Sequence, residues 1–235
     1  MAQQTSELWK ILWRTQNTRK EYAFDINGTW YGPDVEVSHS VDSGLYEENG
    51  IGNATAAKLT ISLYADNIPR AATIKRFIRL VNGNQVSEWL PAGVFFANRR
   101  SVDDDYWTIE AFDVMRKAEV PWEPDQSLNF PLPMPAAVAE FACIMGCEVD
   151  PRTSLNLTYT IDYPTTDPDS DEPVNNNYTI RHELQWIAAA HGGNWIVTSE
   201  GKLLLVPLLS MPEETHYLIT ERGDAITFGG VRILV

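Results

Sequence analysis

The sequence predicts a mainly β chain with a smaller α/β part, an α+β class, and three observations predict it. Residues 22 to 112 alternate apolar and polar positions between short turn signals. Five prolines from Pro121 to Pro135 then exclude a continuous helix. Beyond them, helix, glycine and strand follow one another at 136–149 and again at 180–198. The expected organisation is an N-terminal segment 1–21, a β domain 22–120, a small α/β domain 121–210, and a further β unit that begins within 211–235 and is truncated there.

The β domain opens with Phe24-Asp25-Ile26, then Asn27-Gly28, then Trp30-Tyr31. Asn-Gly between apolar residues is a strong hairpin signal, because both turn residues accept positive φ. Val35, Val37 and Val41 form a second apolar stretch ending near Gly44. Leu59, Ile61 and Leu63 alternate with Thr60, Ser62 and Tyr64, the period of a half-buried strand. Thr73 to Leu80 fits a helical face through Ile74, Phe77 and Ile78, and a strand through Ile74, Ile78 and Leu80. With the turn Val81-Asn82-Gly83-Asn84 behind it, a strand pair is the preferred reading. Pro91-Ala92-Gly93 is expected to turn the chain into Val94-Phe95-Phe96. Trp107 to Phe112 predicts another strand, and Asp113 a cap for a short helix reaching Glu119.

In the second part, Ala136 to Met145 predicts an apolar helix stopped by Gly146. Residues 164–177 are polar and rich in turn formers, a surface loop. Thr179 can cap a helix over Ile180 to His191, ended by Gly192-Gly193. Asn194 to Thr198, a turn at Glu200-Gly201, and Lys202 to Leu209 predict a hairpin. Two helix–strand units are too few for a repeat array and read as halves of one small domain. The apolar positions Ile226, Phe228, Val231, Ile233 and Leu234 predict strand material at the end of the chain.

Composition narrows the function. The chain has 235 residues, 44% hydrophobic and 21% charged, enough for one sizeable core or two smaller ones. A formal net charge of −14 argues against a nucleic-acid binder, which needs a basic face to neutralise phosphates. No stretch reaches the length of a membrane span, and the N-terminus lacks a signal-peptide pattern. Cys143 and Cys147 read as buried thiols, four residues apart around a helix end, with a disulfide disfavoured.

Each candidate for chemistry either fails on a named residue or has a plainer structural reading. His182-Glu183 begins like a zinc-protease helix, but the second histidine is replaced by Trp186. Both residues are expected on an exposed first helical turn. Asp167, Asp169 and Asp171 resemble the start of a calcium loop, yet Glu172 and Tyr178 stand where glycine and glutamate belong. Asp103-Asp104-Asp105 reads as a hairpin tip rather than a carboxylate pair facing across a sugar. His191-Gly192-Gly193-Asn194 reads as a helix C-cap. Arg222-Gly223-Asp224 matches an adhesion tripeptide and reads as a turn, and the Asn-x-Thr sites at Asn27, Asn53, Asn156 and Asn177 carry little weight without an export signal. No catalytic, cofactor or metal residue is assigned, and the chain is expected not to be an enzyme.

The ordered set of segments resembles the hub proteins of phage and prophage tail baseplates, a tail-tube-like family shared with contractile injection systems. The segments are FDINGTWY, with Phe24, Ile26, Asn27, Gly28 and Tyr31; IPRAATIKRFIRL, from Ile68 to Leu80; and Ser87, Glu88, Trp89, Pro91, Gly93, Phe95 and Phe96. Arg99-Arg100, the run from Thr108 to Glu119, the helix from Leu184 to Asn194 and the hairpin EGKLLLVPL complete it. The resemblance covers most of the chain and implies the N-terminal portion of such a hub. It implies a tail-tube-like β-barrel with an inserted small α/β domain, and Ile226 to Val235 as the first strand of a second barrel. It also implies a homotrimeric ring joining the tail tube to the tip, with the tube or distal tail protein and the tip or spike proteins as partners. Neither specific nucleic-acid binding nor stable membrane insertion is implied. The place implied is the virion tail, after synthesis in the bacterial cytoplasm. A lumen that passes DNA favours acidic or neutral walls, so part of the carboxylate excess is expected there.

Two other classes compete. With eight tryptophans and nine tyrosines, the chain could be a carbohydrate-binding β module of a tail tip, stacking sugars on Trp30, Trp89, Trp107 or Trp122. It could also be a fragment of a cell-wall hydrolase.

Overall fold

The computed structural model describes residues 5–43, 50–103, 105–124, 127–162 and 179–208, and the backbone of 227–228 and 231–232. Helix α1 (Glu7–Arg14) opens it, with Ser6 accepting from the Trp9 N–H as N-cap. Then come β1 (Arg19–Ile26), β2 (Thr29–Tyr31), β3 (Glu36–Asp42), β4 (Lys58–Leu63), β5 (Thr73–Asn82), β6 (Gln85–Val86), β7 (Leu90–Asp103) and β8 (Tyr106–Phe112). These eight strands form one antiparallel sheet in the order β2-β1-β5-β7-β8-β4-β3, with β6 on β5.

Local signals account for most of the sheet. Asn27 and Gly28 take φ of 51° and 89°, so the β1–β2 hairpin turns where Asn-Gly placed it. β4 buries Leu59, Ile61 and Leu63 and leaves the residues between them half-buried. Thr73 to Asn82 is a strand, and the turn at 83–84 returns it through β6. Phe24, Ile26, Leu59, Ile61, Leu63, Ile74, Phe95 and Ile109 share the inward face and form one core. Each such side chain contributes about 1.5–3 kcal/mol through removal of its apolar surface from water.

Two expectations for the sheet need correcting. Pro91-Ala92-Gly93 does not turn the chain: β7 runs straight through, and Gly93 sits at a register shift against β5. Val37 and Val41 lie on β3 and are exposed, because β3 is an edge strand. The expected barrel is not closed by hydrogen bonds: among the described residues no ladder joins β3 to β1 or β2. The sheet nevertheless curls, since the Tyr22 ring on β1 and the His39 ring on β3 lie 4.1 Å apart.

The second core is built by helices and a hairpin. A 3-10 helix at Val114–Glu119 follows β8, with Asp113 capping it. Next come β9 (Leu132–Pro133), α2 (Met134–Met145), β10 (Thr160–Ile161), α3 (Ile180–Ala190), β11 (Gly193–Val197) and β12 (Leu203–Pro207). Phe141 and Met145 of α2, Leu184 of α3, Trp195 of β11, Met115 of the 3-10 helix and Ala54 pack together here. Gly146 ends α2 in the left-handed region, at φ 74°. Gly193 is needed for a different reason: a Cβ there would sit 2.5 Å from the Val206 carbonyl oxygen. At the end of the chain, β13 (Thr227–Phe228) pairs with β14 (Val231–Arg232). The rest of the expected terminal strand, the calcium-like loop from Asp167 to Tyr178, Gly44, Asp104, Asn177 and Arg222-Gly223-Asp224 lie outside the described residues.

Candidate functional site

The inward face of the sheet carries one polar network, at the seam where β3 approaches β1. Arg76 of β5 donates from Nη2 to His39 Nε2 at 3.2 Å and from Nη1 to the Ala92 carbonyl at 3.4 Å. Its guanidinium also lies 4.5 Å from the centre of the Tyr22 ring. Arginine can only donate, so His39 accepts through Nε2, and its Nδ1 faces the Glu36 carboxylate. Burial pulls the Arg76 pKa below the ordinary arginine value, while Tyr22 and Glu36 oppose that shift. The network therefore holds an edge strand to the middle of the sheet through side chains, where backbone pairing is lacking. Sequence reading did not single out His39 or Arg76, since they are 37 residues apart and only the curl of the sheet joins them.

The outward face of β1 and β5 carries a second cluster. Arg79 makes two hydrogen bonds to Glu21 Oε2, at 2.9 and 2.8 Å, and lies 4.4 Å from the Trp89 ring centre. Trp30 packs against Phe77 at 5.1 Å and against Trp89 at 5.6 Å. Beside this cluster opens a cleft of about 950 Å³ between the β2–β3 connection, the residues after β4 and the β7–β8 turn. Trp30, Tyr31 and Tyr64 line it with Asp34, Asp66 and Asp105.

The motif residues weighed in the sequence fall into structural places. His182 is exposed as expected, and its Nδ1 accepts from the Thr179 N–H at 3.1 Å, which caps α3. Glu183 is half-buried, a correction, and burial raises its pKa. Trp186 is exposed. Asp103 ends β7 opposite Tyr106 and Asp105 lies in the β7–β8 turn, as a hairpin tip requires. Gly192 follows α3 at φ 61°, the C-cap conformation. Asn194 is a clamp: its Oδ1 accepts from the Asn53 N–H at 2.8 Å, and its Nδ2 donates to the Gly50 carbonyl at 3.1 Å. It ties the segment before β4 to β11. Cys143 is exposed, not buried, because it sits on the solvent side of α2; Cys147 is half-buried, and burial pushes its thiol up to about 11. Among the described residues, no group of three histidine, cysteine or carboxylate side chains is disposed to hold a metal ion. Nor is any helix among them long and apolar enough to cross a membrane.

The four tryptophans proposed as sugar platforms differ in exposure. Trp122 is buried against Phe141, with ring centres 4.9 Å apart. Trp89 and Trp107 lie under Arg79 and Arg100. Trp30 is about half exposed, at 48%.

No protein-family model and no curated protein sequence matches this chain. Solved structures do. The chain is similar to the 43 kDa tail protein of prophage MuSo2 from Shewanella oneidensis, at 11% identity and a TM-score of 0.51, over 79% of this chain and 54% of that one. The tail protein from Neisseria meningitidis MC58 matches at 12% identity and a TM-score of 0.46, over 79% and 51%. The chain thus spans about half the length of either protein. At 11% identity, the likeness to the prophage tail protein is one of fold.

Proposed function

We propose that the chain is a structural component of a phage or prophage tail, in the baseplate hub or tail tip, where it forms part of a ring joining the tail tube to the tip. The observation that carries this reading is the fold shared with a prophage tail protein over most of the chain. The sequence resemblance reached the same class from ordered local motifs. In this reading the curled sheet is a tail-tube-like barrel whose seam is latched by Arg76, His39 and Glu36. The ring is a homotrimer, its neighbours are tube or distal tail proteins above and tip or spike proteins below, and its place is the virion tail. The chain has no catalytic role and inserts stably in no membrane.

Mass spectrometry and immunogold labelling of purified tails test the reading. The chain should be present and labelled at one end of the tube; its absence from intact tails would sink the proposal. Cell-wall digestion by the purified chain in a zymogram would overturn the non-enzymatic part. A sugar-binding role draws less support, because three of its four candidate tryptophans are buried or lie under a partner.

A further inference from the structure

We infer that the acidic aromatic cleft at the β2–β3 connection is the docking surface for helix α1 of a second copy of this chain. The cleft presents three carboxylates, Asp34, Asp66 and Asp105, and among the described residues none of them is paired with a cation. Its walls include Trp30 and Tyr64, 48% and 51% exposed. Carboxylates beside exposed aromatic faces favour ammonium or guanidinium groups carried on an apolar support.

Helix α1 has that chemistry. Ile11 and Trp13 are each 57% exposed, although Leu12 between them is fully buried. Lys10 and Arg14 flank them on the exposed side, and Lys20 lies over the Trp13 ring at 4.7 Å. In a chain of net charge −14, three cations, Lys10, Arg14 and Lys20, gather around one short helix, and Arg19 beside them is engaged by Glu21. Glu7 is the acid within α1 and is engaged by Lys10 at 2.7 Å. The helix is also held in place as a fixed feature: Ser6 donates to Glu88 at 2.7 Å, and Asn82 Nδ2 donates to the Gln16 carbonyl at 3.0 Å. The two patches are therefore opposite in charge, and both carry exposed apolar surface.

The patches are different surfaces of the molecule. α1 lies beside the β5–β6 hairpin, and the cleft lies beside the β7–β8 turn. A contact between unlike patches is head-to-tail, so it propagates and closes only as a ring or continues as a filament. This inference rests on the ring reading above and names the surfaces that make it.

Sedimentation velocity of the 235-residue chain, over a concentration series at low salt, tests it. The wild-type chain should self-associate, and less so as salt rises. Asp66→Lys with Asp105→Lys should weaken association about tenfold or more, as should Lys10→Glu with Arg14→Glu, because like charges then meet. All four substitutions in one chain should restore association, which a merely misfolded variant would not do. Thermal melts of each variant report whether it folds. A wild-type chain that stays monomeric at every concentration would overturn the contact. So would association that ignores the charge reversals, but that result would leave the ring itself standing. The presence of the chain in tails is judged separately.

Discussion

Asp113 makes the chain's stability depend on pH in a stated direction. Its carboxylate is 6% exposed at the junction of the two cores. Oδ2 accepts from the Ala57 N–H at 3.1 Å, and Oδ1 accepts from the Met115 N–H at 3.0 Å. Burial raises its pKa from 3.8 to about 6, against the pull of those two N–H groups. Because the folded value lies above the unfolded one, folding takes up a proton between them. The contribution is full below about pH 3.8 and is lost as the pH rises through about 6. Applied to those two values, linkage gives about 1.4 kcal/mol more stability at pH 5 than at pH 8 from this group alone. Asp113→Asn cannot titrate, and it can accept from one N–H while leaving the other short of a partner, at a cost of about 1–3 kcal/mol. Urea unfolding of both chains at pH 5, 6, 7 and 8 reads the difference. The wild-type advantage over Asp113→Asn should grow by about 1.4 kcal/mol from pH 8 to pH 5. A difference that stays flat, or grows toward pH 8, would refute the burial argument.

Other outcomes follow from the same geometry. His39→Ala removes the acceptor for Arg76 Nη2 and the ring nitrogen facing Glu36, so it should cost about 1–3 kcal/mol and raise amide exchange in β3 before β4. Equal exchange in both strands would count against the latch. Trp195 is fully buried and donates from Nε1 to the Leu184 carbonyl at 2.8 Å, so Trp195→Ala should cost about 3–5 kcal/mol in denaturant unfolding; a loss under 1 kcal/mol would mean that the second core is looser than described. Native alkylation near pH 8 should modify exposed Cys143 well before Cys147, whose thiol is half-buried and pushed up to about 11, and peptide mass mapping after short exposure reads the order.

Much of the fold was legible because its signals are local. Asn27-Gly28 carries its own turn geometry, Leu59 to Leu63 its own period, and Asp113 and Gly146 their own capping chemistry. Helix α1 was missed although Ser6 caps it and Leu8 and Leu12 share a face; eight residues give too short a pattern to stand out. Pro91 and Gly93 read as a turn because both residues favour one, yet the ladder to β5 absorbs them with a register shift. Ala54 could not be assigned to the second core from sequence, since the Asn53–Asn194 bond that brings it there spans 141 residues. The seam network and the cleft were invisible for the same reason. Arg76 with His39, and Asp34 with Asp66 and Asp105, meet only once the sheet has curled.

The proposed place of this chain is a ring at the end of a tail tube. Electron cryomicroscopy of intact tails, reconstructed at the junction of tube and tip, tests it most directly. Density for the eight-stranded sheet and its helical companion should appear in three copies around the tube axis, with α1 of one copy against the Asp34–Asp66–Asp105 cleft of the next. A junction that is fully traced by other chains, with no density of this fold, would contradict it.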